Sequence, residues 1–138
     1  MKIVRWFLPV ILLLTLFLSA CGGKVIETAL GKEFTMALRE TGKITAEDLS
    51  IKLIGVSNDS RCPEGVTCIW AGTVSCLLEI TLDGIKENYT LVVPGAGDNA
   101  GQVYGAYVFY AKVTPYPRQG IEITETDYRL LLTVEKNG

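Results

Sequence analysis

The chain contains no histidine, and this absence removes more chemistry than any other feature of its composition. Histidine is the usual general base at neutral pH, the commonest zinc ligand, and the partner of serine or cysteine in nucleophilic pairs. The sequence also has no glycine-rich phosphate loop, dinucleotide fingerprint or internal repeat. These absences argue against most hydrolase mechanisms and against nucleotide binding.

Basic residues also do not outnumber acidic ones. Removing residues 1–20, which we predict to be cleaved, takes away Lys2 and Arg5 from the 13 basic residues and none of the 15 acidic ones. The net charge then falls from −2 to near −4, which argues against nucleic acid as a partner. Removing 20 of the 138 residues leaves 118, which suits one domain of ordinary size.

The first 20 residues have the layout of an export signal. Lys2 and Arg5 provide a positive start, an apolar stretch runs from Trp6 to Leu18, and small residues follow it. The apolar stretch is shorter than the roughly 20 residues that cross a bilayer as a helix. We therefore predict a cleaved signal peptide at 1–20, with a retained membrane anchor as the competing interpretation.

The end of this leader resembles the lipobox of bacterial lipoproteins. Its residues are Leu18-Ser19-Ala20-Cys21. The resemblance implies cleavage before Cys21 and attachment of diacylglycerol to its thiol, and several acyl chains would make the anchor effectively permanent. We expect the protein in the bacterial cell membrane or outer membrane, facing outside the cytoplasm, with a lipidated tether at 21–31 and a single β-domain at 32–138.

The clearest pair of strands surrounds Asp83-Gly84, a dipeptide suited to a two-residue hairpin turn. Such a turn fixes the register and places four apolar pairs opposite one another. The pairs are Leu82 with Ile85, Leu78 with Tyr89, Cys76 with Leu91, and Val74 with Val93. Glu87 falls opposite Ile80 on the same inner face and Leu77 points outward, so the sequence predicts either a β-bulge or a covered outer surface here.

Other segments complete an all-β pattern. Further strands are predicted around Phe34–Leu38, Ile51–Gly55, Tyr107–Val113 and Tyr128–Val134, with a short edge piece at Ile121–Ile123. We expect Thr41-Gly42 to close the first strand. We expect Thr45 to cap a helical turn that begins there, with Asp48 as the acid three residues on. Six or seven strands without a long helix predict an antiparallel β-sandwich of the Greek-key or immunoglobulin type, or a partly closed barrel.

Three cysteines remain once Cys21 is lipidated. In an oxidising compartment Cys62 and Cys68 are well spaced to close a tight loop, while pairing of Cys68 with Cys76 is the alternative. We expect Cys76 to be a small buried apolar residue. If the strand that holds Cys76 extends back without a break, Trp70 lies on the same face as Cys76. We therefore expect Trp70 to pack in the core beside the disulfide.

The segment around these cysteines resembles a motif of small, largely uncharacterised exported and lipid-anchored bacterial proteins. It reads Asp59-Ser60-Arg61-Cys62-Pro63, four residues, Cys68, one residue, Trp70-Ala71-Gly72. Residues 113–117, Val-Thr-Pro-Tyr-Pro, are similar to a second and weaker feature of that family. The resemblance implies an exported β-domain, but it transfers no catalytic or binding residue.

Two interpretations of this loop compete. In the structural one, Asp59 caps a turn and Arg61 pairs with Asp59 or covers the sheet. In the functional one, a loop stiffened by its disulfide presents Asp59, Arg61 and Glu64 to a protein or an envelope polymer.

Acidic and aromatic residues elsewhere give weaker indications. Carboxylates at Glu79, Asp83, Glu87 and Asp98, with Asn99 beside the last, lack the spacing of a calcium loop, so we predict no metal and no cofactor. Four tyrosines could line a carbohydrate-binding surface, although aromatic residues in a central strand more often pack in the core. They are Tyr104, Tyr107, Tyr110 and Tyr116.

Three functional hypotheses follow. The first is a non-enzymatic, membrane-tethered β-domain that binds a protein or an envelope component through loops at one end. The second is an inhibitor of exported proteases, and the third is a hydrolase that uses carboxylates alone, with Asp59, Glu64 and Asp98 as its candidate residues.

Overall fold

The computed structural model of the protein describes residues 23–96 and 101–138. The predicted signal peptide, the lipidation site Cys21, and the loop residues Asp98 and Asn99 lie outside those ranges. Within them, no helix combines the length and the apolar character needed to cross a bilayer.

Nine strands form two sheets in the described residues, and the sheets pack face to face as a β-sandwich. One sheet has the order β1-β3-β4-β5-β6 and the other has the order β2-β9-β8-β7. The strands are β1 (Val25–Thr28), β2 (Phe34–Ala37), β3 (Thr41–Ile44), β4 (Leu49–Ser57), β5 (Thr73–Leu82), β6 (Ile85–Pro94), β7 (Gln102–Tyr104), β8 (Tyr107–Thr114) and β9 (Arg129–Lys136). All pairs are antiparallel except β1 with β3. The all-β sandwich is thus confirmed.

Short strands account for the difference from the predicted six or seven. Strand β1 lies inside the range 21–31 predicted as a tether, so the folded domain begins before residue 32. Thr41 and Gly42 begin β3 and do not close a strand, while Ile121–Ile123 lies outside the strands of the structure. Strands β1, β3 and β7, of three or four residues, have too little alternation to show in the sequence, and pairing with a neighbour decides them.

The hairpin at Asp83-Gly84 has the register that the sequence predicts, from Leu82 opposite Ile85 to Val74 opposite Val93. Asp83 and Gly84 have φ of 50° and 78°, as a two-residue turn of this kind requires. Glu87 does pair with Ile80, without a bulge, and its carboxylate accepts a hydrogen bond from the Tyr104 hydroxyl at 3.0 Å. The irregularity lies instead between β4 and β5, at Leu53 and Gly55.

The core occupies the space between the two sheets and is built from alternating residues of strands in both sheets. Tyr107–Val113 is an interior strand, as predicted, but only one of its faces is fully buried. The largest fully buried side chains include Met36, Ile44, Leu49, Ile51, Leu53, Leu78, Ile80, Leu91, Phe109, Leu130 and Leu132. Cys76 is fully buried among them, as predicted.

The helical turn before β4 is present as a 3₁₀ turn over Thr45–Glu47, but the predicted cap is wrong. Ile44 occupies the cap position, no side chain caps the turn, and Asp48 ends it in the left-handed conformation at φ 46°. Glu47 instead accepts a hydrogen bond from the Tyr107 hydroxyl at 2.9 Å and pairs with Lys136 at 3.0 Å. Glu47 therefore connects this turn to strands β8 and β9 of the other sheet.

Candidate functional site

The cysteine motif lies at one end of the sandwich, in the connection from β4 to β5. We call residues 58–72 the cysteine loop, and we call the end of the sandwich where it lies the loop end. Residues 115–128, which connect β8 to β9, lie at this same end, because Arg61 bonds to the Val113 and Pro115 carbonyls and the Glu64 amide bonds to the Pro117 carbonyl. The Asp83-Gly84 hairpin lies at the opposite end.

Backbone geometry holds the start of the cysteine loop against its end. The Ser60 and Cys62 amides donate to the carbonyl oxygens of Thr73 and Ala71, both at 2.8 Å. Gly72 has φ of 71°, and a Cβ atom there would collide with the Ser60 carbonyl. Only glycine satisfies both the positive φ and the close approach at this position.

Arg61 is buried beneath the loop, with 4% of its surface exposed. Its Nε and Nη2 donate to the Asp59 carboxylate at 2.8 and 2.6 Å. Nη1 donates to the Val113 carbonyl at 2.7 Å, and Nη2 also donates to the Pro115 carbonyl at 3.0 Å. Every bond of this set is charge-assisted, and the planar guanidinium suits the bidentate pair with the carboxylate.

The Asp59 carboxylate completes the buried pair. The Tyr128 hydroxyl donates to its Oδ2 at 2.9 Å, in addition to the bonds from Arg61. Burial acts to raise the pKa of Asp59, but the hydrogen bonds from Arg61 and Tyr128 outweigh it and hold that pKa below its ordinary value. Burial, together with the hydrogen bond to Asp59, raises the pKa of Tyr128 to about 12. Asp59 is therefore ionised and Tyr128 neutral at neutral pH.

The two segments that carry the family resemblance meet at Arg61. The guanidinium bonds to two carbonyl oxygens of residues 113–117, and its Cζ lies 5.1 Å from the centre of the Tyr116 ring. The Tyr116 hydroxyl in turn donates to the Gly95 carbonyl at 2.8 Å. Arg61 thus fastens the cysteine loop to the opposite sheet.

Cys62 and Cys68 form a disulfide, with sulfur atoms 2.08 Å apart and Cα atoms 5.9 Å apart. The Glu64 amide donates to the Pro117 carbonyl at 2.9 Å, and the Glu64 carboxylate pairs with Arg118 at 2.8 Å. The ring closed by the disulfide is therefore tied on a second side to the β8–β9 connection.

The tip of the cysteine loop carries exposed apolar side chains. Ile69 is 91% exposed and Trp70 is 79% exposed, and Val66 is also exposed. The expectation that Trp70 packs in the core is wrong, because β5 begins only at Thr73 and its alternation does not extend back into the loop. Trp70 and Tyr116 border an open depression of about 480 Å³ beside the disulfide.

The structural interpretation of Asp59 and Arg61 is confirmed, since they pair with each other. Arg61 is not presented to a partner, because it is buried, while Glu64 is half-exposed at its side chain and pairs with Arg118. Burial raises the pKa of the Cys76 thiol to about 12, so this cysteine is no nucleophile in the folded protein.

Acidic and aromatic residues elsewhere have structural partners. Glu79 pairs with Lys86, and no group of three or more potential metal ligands occurs within residues 23–96 and 101–138. Tyr104 packs against Tyr89 and stacks on Phe109, with ring centres 5.2 and 5.7 Å away. Tyr107 is buried in the core, and Tyr110 is half-buried.

Sequence reasoning did not identify Tyr128 and Ile69 as members of this site. Tyr128 lies 69 residues from Asp59 along the chain, so only the tertiary fold brings their side chains together. Ile69 lies between two residues of the motif, and the sequence pattern, which carried the alternation of the following strand back to Trp70, gave no signal that this pair is exposed.

The fold and site define a β-sandwich that carries a disulfide-closed loop at one end, with a buried arginine beneath it. No family model, no curated protein and no solved structure matches the chain.

Proposed function

We propose that the protein is an exported bacterial lipoprotein, anchored through Cys21, whose β-sandwich is a non-enzymatic binding domain. The leader and the lipobox residues support the anchor. The disulfide between Cys62 and Cys68 supports an oxidising location outside the cytoplasm. The resemblance of residues 59–72 to the motif of small exported and lipid-anchored proteins agrees with both.

The exposed pair Ile69 and Trp70 carries the proposal that the loop end binds. A tryptophan that is 79% exposed, on a loop closed by a disulfide and fastened by Arg61, is a costly arrangement for a surface that contacts only water. Tryptophan is among the residues that contribute most to binding. A loop that is already ordered also loses little conformational entropy when it binds.

The environment of Asp59 argues against one role that hydrolysis by carboxylates alone requires, that of the general acid. Asp59 is held ionised by Arg61 and Tyr128, so it cannot donate a proton as a general acid at neutral pH. Glu64 is paired with Arg118.

Site-specific photo-crosslinking in the native envelope tests the proposal. A photoreactive phenylalanine derivative replaces Trp70 in one variant and Ile85 in a matched control, since Ile85 is 67% exposed at the opposite end of the sandwich. We expect adducts with envelope molecules from position 70 well above those from position 85. Equal adduct yields from the two folded variants would contradict a binding role for the loop.

The anchor is tested separately by mass spectrometry of the protein purified from membranes. We expect a chain that begins at Cys21 and carries the mass of its acyl chains. An intact leader, or an unmodified thiol at Cys21, would overturn the lipoprotein part of the proposal.

A further inference from the structure

The direction of β1 places the N-terminal side of the domain near the loop end. Val25 lies beside Thr41 in β3, and Thr41 lies beside Lys52 in β4. Strand β4 then runs on to Ser57, where the cysteine loop begins. Because β1 is parallel to β3 and antiparallel to β4, the chain before Val25 points toward the loop end.

The chain follows the sheet as far back as Gly23. The Thr41 amide donates to the Lys24 carbonyl at 3.0 Å, and Gly23 lies so close to the Arg39 carbonyl that a Cβ atom would collide with it. The Arg39 amide donates to the Leu53 carbonyl at 2.7 Å, which puts Gly23 near the level of Leu53.

The distances from Gly23 to the cysteine loop and from Gly23 to Cys21 are short. Leu53 lies four residues before Ser57, or about 13 Å along the strand, and three strand spacings between β1 and β5 add about 14 Å across the sheet. Cys21 is two positions before Gly23 in the chain, so the backbone between them can span at most about 7 Å. A lipid anchor on Cys21 would thus hold the loop end of the sandwich close to the bilayer.

The tip of the cysteine loop, at the end of the sandwich nearest this anchor, has no charged residue. From Gly65 to Ala71 the sequence is uncharged, and the flanking charges of Arg61 and Glu64 are both paired within the protein. Val66, Ile69 and Trp70 supply exposed apolar surface in this stretch. Tryptophan favours the membrane–water interface, where its ring is buried and its N–H group can still bond to water or headgroups.

We propose that Ile69 and Trp70 insert into the headgroup and acyl boundary of the bilayer that carries the Cys21 anchor. This inference rests on the proposed function and names the partner of the loop as the lipid surface itself. The loop then acts as a second membrane contact, which fixes the orientation of the sandwich with its Asp83-Gly84 hairpin farthest from the membrane.

Tryptophan fluorescence provides a direct test, because the chain has two tryptophans and cleavage before Cys21 removes Trp6. The processed, lipidated protein is reconstituted into phosphatidylethanolamine and phosphatidylglycerol vesicles, with and without bromine atoms on the acyl chains. We expect the emission of Trp70 to shift to shorter wavelength relative to the protein in detergent, and to be quenched by the brominated lipids.

A double variant, Trp70→Phe with Ile85→Trp, provides the matched control with its single tryptophan at the hairpin. We expect no quenching of this tryptophan by brominated lipids. Equal quenching at positions 70 and 85, or none at 70, would overturn the inference.

The failure of this inference is distinguishable from failure of the proposed function. Protein or glycan adducts from position 70 in the envelope, with no quenching of Trp70 in protein-free vesicles, would retain a binding loop and reject the lipid surface as its partner. A chain without acyl groups on Cys21 would instead reject the lipoprotein itself.

Discussion

Arg61 shows how one residue can serve two sheets at once. Its guanidinium offers five donors in a rigid plane, and the structure places the Asp59 carboxylate on one side and the Val113 and Pro115 carbonyls on the other. A buried charge is tolerable only when its partners are this complete. Asp59 and Arg61 are therefore best understood as the support of the cysteine loop.

Replacing Arg61 by lysine should strongly destabilise the protein. Lysine keeps the charge but cannot bond in the plane to both the carboxylate and the carbonyls. We expect a loss of about 3 kcal/mol in the free energy of unfolding, near the lower end for a broken buried pair. The measurement is equilibrium unfolding in guanidinium chloride.

Arg118→Lys is the matched control, because Arg118 forms an exposed ion pair with Glu64. An exposed pair of this kind contributes less than about 1 kcal/mol. If the two variants lost the same stability, the buried network would not be the support that the geometry indicates.

The Asp59 carboxylate predicts how the stability of the fold depends on pH. The pKa of Asp59 is lower in the folded protein than the ordinary value of 3.8, so its ionisation stabilises the fold above that pH. This contribution is lost as the pH falls through 3.8 and then through the folded pKa. The difference in unfolding free energy between the parent and Asp59→Asn should therefore shrink as the pH is lowered.

Tyr128→Phe should give an intermediate result, because it removes only one of the hydrogen bonds that lower the pKa of Asp59. Chemical denaturation at a series of pH values measures both effects. A difference between the parent and Asp59→Asn that stays constant from neutral to strongly acidic pH would contradict the assignment.

At the scale of elements, the long hairpin and the short strands differ in what fixes them. Strands β5 and β6 have ten residues each, alternate regularly, and are joined by a dipeptide whose φ values suit only a few residues. Strands β1, β2, β3 and β7 have three or four residues. Strand β2 pairs with the distant β9 and β1 with β3, whereas β3 and β7 each pair with the strand that follows them, β4 and β8.

The hairpin turn can be tested at Gly84, whose φ is 78°. An alanine there would place a Cβ in the left-handed region, so we expect Gly84→Ala to cost about 1 to 2 kcal/mol of stability. Asp83→Asn should be close to neutral, since asparagine and aspartate both suit the first turn position. Thermal unfolding of the two variants provides the comparison, and equal stability of both would reject this turn geometry.

At the scale of the whole molecule, two sheets enclose one core and bring two distant segments together at the loop end. The register of β5 decides which leucine of an adjacent pair belongs to that core. Leu78 is fully buried between the sheets, while Leu77 is 36% exposed on the outer face. Of the two architectures that the sequence pattern predicts, a sandwich and a partly closed barrel, the described residues form the sandwich, because their strands divide into two separate sheets.

Leu78→Ala and Leu77→Ala form a matched pair that tests the sandwich. We expect Leu78→Ala to lose about 2 to 5 kcal/mol, as a large-to-small change in a closed core does. Leu77→Ala should change the stability by less than about 1 kcal/mol because its site is on the surface. Urea unfolding measures both, and the reverse order would show that β5 presents its other face to the core.

The sequence by itself determined the all-β class, the register of the β5–β6 hairpin and the burial of Cys76. These features depend on alternation, turn chemistry and residues close together in the chain, so local physics is sufficient to predict them. Only the tertiary structure decided the short strand β1, the contacts of Arg61 with the Val113 and Pro115 carbonyls, and the exposure of Trp70. Each of these depends on which distant segment lies alongside, and a periodic pattern does not specify that neighbour.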